Sequence, residues 1–275
     1  MVSKEELLQD LHRFVDNEGR LPEYKELKVS NGYYDINRYV RNFGSMNNAL
    51  EIAGLKIKIN ENLFNLNNLN LKTLYMIGYI IGDGCISSRE DELSISCAAQ
   101  DKEHLNKLYN YLNLDTKIQY KKGYVGNKQD SYTLRKNCKQ WKDDLSLYGI
   151  VPRKSLISYI PLYYLKTSEE EAAICLGLLD ADGCITYSKS KYKISPRVGI
   201  VGSEQLCEDF KYLLIKNNIN TKSNVRKGSG NVYQFEINGI NICKKFNDFI
   251  YQSNELEELR MDRKYNKLQD LINNH

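Results

Sequence analysis

Two aspartates in this chain sit where chemistry is possible. Asp83 falls in Met76-Ile77-Gly78-Tyr79-Ile80-Ile81-Gly82-Asp83-Gly84, and Asp182 in Cys175-Leu176-Gly177-Leu178-Leu179-Asp180-Ala181-Asp182-Gly183. Gly78 and Gly82 are four apart, as are Gly177 and Ala181. Residues four apart share a helix face, and a face of small residues lets two helix backbones approach closely. Packed on those faces, the two helices bring Asp83 and Asp182 together at their ends. A helix C-terminus already carries partial negative charge, and adjacent carboxylates repel. A divalent cation between them relieves both. Hard oxygen ligands, with the carbonyls of the last helical residues nearby, suit Mg²⁺. Two carboxylates on a shared metal predict metal-assisted phosphodiester hydrolysis, the metal activating a water and stabilising the leaving oxygen. Asp-Gly after a helix is also an ordinary turn, with Gly as a left-handed cap. Its recurrence, with small residues at matching positions, favours the chemical reading. Asp180 is not a second catalytic candidate, because its counterpart is Ile81.

The elements that must position these acids repeat from residue 71 onward. The first unit reads as an apolar helix over 71–84, a strand over 93–99, and a helix running from Gln100-Asp101 through Leu112. Strands near 117–125 and 131–137 follow, then a helix near 139–148, and the unit closes on Arg153-Lys154. The second reads as a helix over 169–183, a strand over 192–201, a helix over 204–216, strands near 222–227 and 232–237, and a helix over 242–251. It closes around Met261-Asp262-Arg263-Lys264. Both carry Asp-Gly-Cys-Ile, at 83–86 and 182–185. The order is α-β-β-α-β-β-α twice, with a short first strand after each acid. Ahead of the repeats, Ser3 and Glu6 form a capping box for an amphipathic helix over 3–16, whose Leu7, Leu8, Leu11, Phe14 and Val15 share a face. Gly19 and Pro22 break it, and further helices are expected near 34–42 and 45–52. The expected organisation is a helical module over 1–55, an Asn-rich linker over 56–70, and units over 71–166 and 167–275.

Composition narrows the classes. Apolar residues make up 41% and charged residues 27%, which is globular. The net charge of +4 does not by itself identify a nucleic-acid binder. Its distribution says more: residues 117–142 hold eight basic residues against Asp130 alone. The longest apolar run, around Leu74–Ile81, is far short of a membrane span. The start, Met1-Val2-Ser3-Lys4-Glu5-Glu6, has no signal-peptide pattern. Seven scattered cysteines without a C-x-x-C pair predict reduced thiols, in a bacterial cytoplasm or an organellar matrix rather than outside the cell.

The two nonapeptides resemble those of the LAGLIDADG homing endonucleases, in the single-chain form with two motifs. Gly177-Leu178-Leu179-Asp180-Ala181-Asp182-Gly183 matches closely; the first copy departs at Ile81 but keeps the acid at Asp83. The resemblance covers about 70–275. It implies an α+β fold, with two pseudo-symmetric αββαββα units whose four-stranded sheets form a β-saddle over DNA. It implies metal binding by Asp83 and Asp182, with Gly82 and Ala181 as backbone contributors. It also gives roles to basic residues of the late segments, here Lys154 and Lys264, beside the scissile phosphate, where a cation offsets developing charge. Gln100, directly after its strand, resembles a family position that orients active-site water.

The strands support the saddle independently. In 117–121, Ile118 and Tyr120 alternate with Lys117, Gln119 and Lys121. In 131–137, Tyr132 and Leu134 alternate with Thr133, Arg135 and Asn137. In 192–200, Tyr192, Ile194, Val198 and Ile200 alternate with Lys193, Ser195 and Arg197. Gln234 alternates with Tyr233 and Phe235, and Arg226 lies on the neighbouring expected strand. One face packs on helices; the other offers side chains that read base edges or hold phosphates. Glu18-Gly19-Arg20-Leu21-Pro22, Tyr39, Phe43–Leu50 and Ala53-Gly54-Leu55 resemble the repeat that accompanies many homing endonucleases, with Arg38 and Arg41 as DNA-contact candidates. The expected protein is a monomeric, Mg²⁺-dependent double-strand DNA endonuclease acting across the minor groove of a long asymmetric site. Alternatives are an intron RNA maturase and a non-catalytic DNA-binding regulator. Residence in an intein is disfavoured by the start at Met1 and the end at Asn273-Asn274-His275.

Overall fold

In the computed structural model, Ser3 caps α1 (Lys4–Glu18): its hydroxyl accepts from the Glu6 amide, and Glu6 accepts from the Ser3 amide. This is the capping box expected from the sequence. Gly19 ends the helix in the left-handed region. Asp35 caps α2 (Ile36–Phe43) and Ser45 caps α3 (Met46–Ile52). Leu7, Leu11, Phe14, Leu27, Tyr39, Phe43, Met46, Ala49 and Leu50 form their common core. The structure is described for residues 2–19, 21–22, 25–55, 59–114, 116–123, 129–189 and 194–273. The chain divides into two compact units, Met1–Asn60 with Leu112–Asp115, and Glu61–Tyr111 with Thr116–His275.

The larger unit is built twice from the same parts. The first repeat runs α4 (Leu71–Asp83), β1 (Gly84–Ile86), β2 (Glu92–Ala98), α5 (Lys102–Tyr111), β3 (Gln119–Lys121), β4 (Ser131–Asn137) and α6 (Lys139–Leu147). The second runs α7 (Ser168–Asp182), β5 (Cys184–Lys189), β6 (Ile194–Gly202), α8 (Glu204–Lys216), β7 (Arg226–Lys227), β8 (Tyr233–Asn238) and α9 (Ile240–Ile250), followed by α10 (Asp262–Asn273). Each repeat makes one four-stranded antiparallel sheet, ordered β1-β2-β4-β3 and β5-β6-β8-β7. The α+β class and the doubled αββαββα order agree with the sequence reading.

Alternation decides what each sheet buries. Ile86, Leu93, Ile95 and Leu134 turn inward in one sheet; Ile185, Val198, Ile200, Phe235 and Ile237 do so in the other. Helices α5 and α6 cover the first, and α8, α9 and α10 the second. At the centre α4 packs on α7. Asn70 and Thr167 start these two helices as side-chain caps.

Four expectations need correction. The strand expected near 117–125 is ordered as β3 only over Gln119–Lys121; residues 124–128 lie outside the described residues. The strand expected near 222–227 shrinks to Arg226–Lys227. Both are edge strands with exposed side chains, so burial adds little to extend their pairing. The chain does not close at 261–264 but continues into α10, whose Leu268, Leu271 and Ile272 are buried. Finally, the expected linker is anchored at Leu63-Phe64, while most of residues 61–70 are exposed. Leu63 and Phe64 are buried, Phe64 meets Trp141 edge-on at 5.3 Å, and the Tyr148 hydroxyl donates to the Phe64 carbonyl. The run of asparagines hides this two-residue anchor.

Candidate functional site

The crossing of α4 and α7 depends on missing side chains. A methyl group placed on Gly78 would overlap the Ile174 carbonyl, and one on Gly177 the Tyr75 carbonyl. One turn later, a side chain begun at Gly82 would lie 2.5 Å from Ala181 Cβ and 3.2 Å from Asp182 Oδ2. The helices therefore run in backbone contact down to their last residues, Asp83 and Asp182. The next glycines are not left-handed caps. Gly84 and Gly183 are extended, with φ of −78° and −73°, so each helix passes directly into β1 or β5.

The electrostatics are those of two partly buried acids incompletely offset by two buried lysines. Burial, then the charge of Asp182, pushes Asp83 up to about 6; Lys264 is the first group opposing this. Burial also raises Asp182, opposed first by Lys154. Asp83 and Asp182 are thus each opposed first by the lysine of the other repeat, while Lys264 itself interacts most with Asp180. Both lysines are buried, which lowers their own pKa values. Lys154 Nζ donates to the Ile81 and Gly82 carbonyls at 2.7 and 3.2 Å. Lys264 Nζ donates to the carbonyls of Leu179, Asp180 and Ala181 at 2.7, 2.8 and 3.1 Å. They neutralise the negative ends of the two helices. The Gly82 and Ala181 carbonyls, expected as metal contributors, are thus already hydrogen-bonded, each keeping a second lone pair.

Among the described residues, no group of three or more His, Cys, Asp or Glu side chains is arranged to hold a metal. The donor set is two carboxylates and helix-end carbonyls, all hard oxygens. That chemistry fits a divalent cation whose remaining ligands are water or substrate phosphate oxygens.

Asp180, set aside in the sequence reading, is fully buried and pushed up to about 6 by that burial. Its Oδ2 accepts from the Tyr75 hydroxyl and the Met261 amide, both at 2.8 Å. Gln100 is exposed, in a single 3₁₀ turn at Ala99–Asp101 after β2.

The outer sheet faces carry most of the other candidates. Gln119, Thr133, Lys121, Arg135 and Asn137 share the outer face of the first sheet by register, together with Ser94, Ser96 and Glu92. Lys117 is exposed just ahead of β3. Thr133 is tied to Ser96, Oγ1 to Oγ, at 2.8 Å. Ser195, Arg197, Arg226 and Gln234 share the outer face of the second, with Thr186, Ser188, Glu236 and Asn238. Lys193 lies outside the described residues. Two glutamates on these faces escaped the sequence reading. Arg135 pairs with Glu92 at 2.6 Å, and Arg197 with Glu236 at 3.7 Å. Their positions in the polar half of the alternation were the available signal. In the helical module, Arg38 is exposed over the Tyr34 ring at 5.8 Å, and Arg41 is exposed in the last turn of α2.

Comparison with known proteins matches residues 2–56 to the homing endonuclease associated repeat and residues 169–251 to the LAGLIDADG-like domain. No curated protein matches the chain. Among solved structures, the LAGLIDADG meganuclease I-AabMI bound to uncleaved DNA aligns at 14% identity and TM-score 0.47, over 74% of this chain and 89% of that one. The LAGLIDADG homing endonuclease I-GzeII in complex with its DNA target aligns at 13% identity and TM-score 0.47, over 74% and 88%. Residues 71–166 lie outside the matched spans, but their sheet order repeats that of the second half. The chain thus carries a LAGLIDADG-like domain in its second repeat and a homing endonuclease associated repeat at its N-terminal end.

Proposed function

We propose that this protein is a divalent-metal-dependent, site-specific endonuclease of double-stranded DNA, with Asp83 and Asp182 as its metal-binding acids. One observation carries the reading: the closely packed ends of α4 and α7 put two acids beside each other, with a lysine at each helix end. Mg²⁺ bound there would activate a water and stabilise the leaving oxygen. Asp83 and Asp182 hold the cation in their ionised forms. Lys154 and Lys264 keep positive charge at the helix ends, where negative charge develops as the phosphodiester breaks. Gln100 orients water beside the site. The outer faces of the two sheets lie along the major groove on either side, where Lys121, Arg135, Arg197 and Arg226 meet phosphates or guanines and Gln119, Asn137 and Gln234 meet adenines.

One chain supplies both acids, so a monomer suffices for both strands. The helical module, matched to a homing endonuclease associated repeat, adds DNA contacts through Arg38 and Arg41. The substrate places the protein in a DNA-containing compartment, a bacterial cytoplasm or an organellar matrix.

The test is incubation with the duplex formed by the flanks of its own gene, the intervening sequence deleted, with and without Mg²⁺. Cleavage of both strands with metal, and none by Asp83→Asn or Asp182→Asn protein free of wild type, is expected. Cleavage by either variant overturns the assignment.

A further inference from the structure

Asp180 is buried at the same end of α7 as the proposed metal site, yet the mechanism above gives it no role. Its carboxylate is committed elsewhere. Oδ2 accepts from the Met261 amide and from the Tyr75 hydroxyl. Met261 lies three residues before Lys264. The same short segment is pinned at further points. The Leu259 carbonyl lies 3.1 Å from Tyr75 Oη and competes with Asp180 for its single proton. Lys107 Nζ donates to the Arg260 carbonyl at 2.9 Å and pairs with Asp262 at 2.6 Å. Arg263 forks onto Asp101 at 2.7 and 3.0 Å. Of these anchors, only Asp180 belongs to α7, the helix whose end Lys264 serves.

The first repeat is built differently. The counterpart of Asp180 is Ile81, which has no side-chain acceptor. Lys154 follows a left-handed Arg153, with φ of 61°, and reaches two carbonyls where Lys264 reaches three. Two motif helices matched in their small residues and acids therefore hold their lysines by unequal means.

We propose, on the endonuclease reading above, that Asp180 is a positioning residue: through the Met261 amide it sets Lys264 against the last turn of α7 and fixes which DNA strand is cut first. A catalytic cation held in one geometry needs no reorganisation when charge develops, whereas one displaced by about 1 Å acts up to about 10²-fold more slowly. The strand served by Lys264 is cut first, and the strand served by Lys154 second.

The test uses full-length protein and supercoiled plasmid carrying the joined gene flanks, with the two strands of the site mapped separately. Wild type is expected to accumulate a nicked circle with its nick always in the same strand. Asp180→Ile, the first repeat's residue, removes the acceptor, slows that first nick by about tenfold or more and leaves the rate of the other strand unchanged, so the fixed order is lost. Tyr75→Phe, which removes one donor to the same oxygen, shifts the ratio in the same direction but less. A purely structural role would slow both strands together. Equal slowing, or an unchanged strand ratio in both variants, overturns this inference and leaves the endonuclease reading standing. A wild type that cuts neither strand removes that reading and this one with it. The anchor is also read without cleavage: hydrogen exchange at the Met261 amide must quicken in Asp180→Ile relative to amides of α9. Unchanged protection there overturns the anchoring itself.

Discussion

Lys154 and Lys264 combine two demands that exposed lysines rarely meet together. Each is buried, which favours the neutral amine, and each faces helix-end carbonyls and carboxylates that favour the ammonium. Replacing either by Met keeps the stem and deletes the charge. Single-turnover cleavage should then slow by about 10²–10³-fold, with DNA affinity little changed, since neither ammonium is a surface phosphate contact. The buried Tyr75 hydroxyl also joins two groups that titrate in opposite senses. Burial pushes Asp180 up to about 6 and His104 down to about 4, and Tyr75 Oη lies 2.8 Å from one and 3.3 Å from the other. Between about pH 4 and 6 the folded chain holds a proton on Asp180 that the unfolded chain has released, so this contribution falls as pH rises. His104 binds its proton only when unfolded over about pH 4–6.5, so its contribution rises with pH. Each is worth on the order of 3 kcal/mol across its window, and together they nearly cancel. Asp83, also raised to about 6, adds to the Asp180 side, less so because solvent reaches it. Denaturant unfolding in chelator should therefore show a shallow fall in stability from pH 4.5 to 6.5. In Asp180→Asn that slope should flatten or reverse, because His104 is then less opposed.

At the scale of the element, the α4–α7 crossing sets the separation of the acids. Its glycines are needed for close approach rather than for unusual backbone angles, since the space where a side chain would begin is occupied by the facing helix backbone. Gly177→Ala should destabilise the protein by about 1–3 kcal/mol, measured by denaturant unfolding. Cleavage should be lost even where folding survives, because the ends of the helices must move apart. The strands carry a second element-scale device. Glu92 pairs with Arg135, and Glu236 with Arg197, on the outer faces of the two sheets. A carboxylate on a face proposed to meet DNA repels phosphate, and its removal frees the arginine. Glu92→Gln should tighten binding to random duplex DNA and steepen log K against log salt by about one unit, as one more phosphate contact forms. A binding titration across salt concentrations reads both effects.

For the whole molecule, doubling matters more than net charge. A chain at +4 has no large overall field, so on the proposed reading DNA attraction comes from local arrays such as the basic residues of 117–142. The two repeats share strand order, small motif residues and terminal acids, and they differ in the anchoring of their late lysines. A pseudo-twofold protein suits the approximate twofold symmetry of a duplex backbone, while sequence divergence between the halves permits an asymmetric target. Among the described residues, no helix is long and apolar enough to cross a membrane.

Much of this was legible in the residues alone. Small residues four apart predicted a close helix crossing, and a repeated Asp after each predicted their meeting; both depend on local periodicity. Polar-apolar alternation in 131–137 and 194–200 likewise assigned the sheet faces correctly, because a strand with one buried face must alternate. Other features depended on partners distant in sequence. Asp180 looked expendable beside Ile81, yet it binds an amide 81 residues away. Lys154 and Lys264 matched in order, but only the fold turned them onto helix-end carbonyls. The burial of Leu63 and Phe64 needed Trp141 to arrive from the other end of the first repeat. Spacing along the chain thus determined which residues could share a face. Tertiary packing decided which polar groups lost water, and therefore which had to find one another.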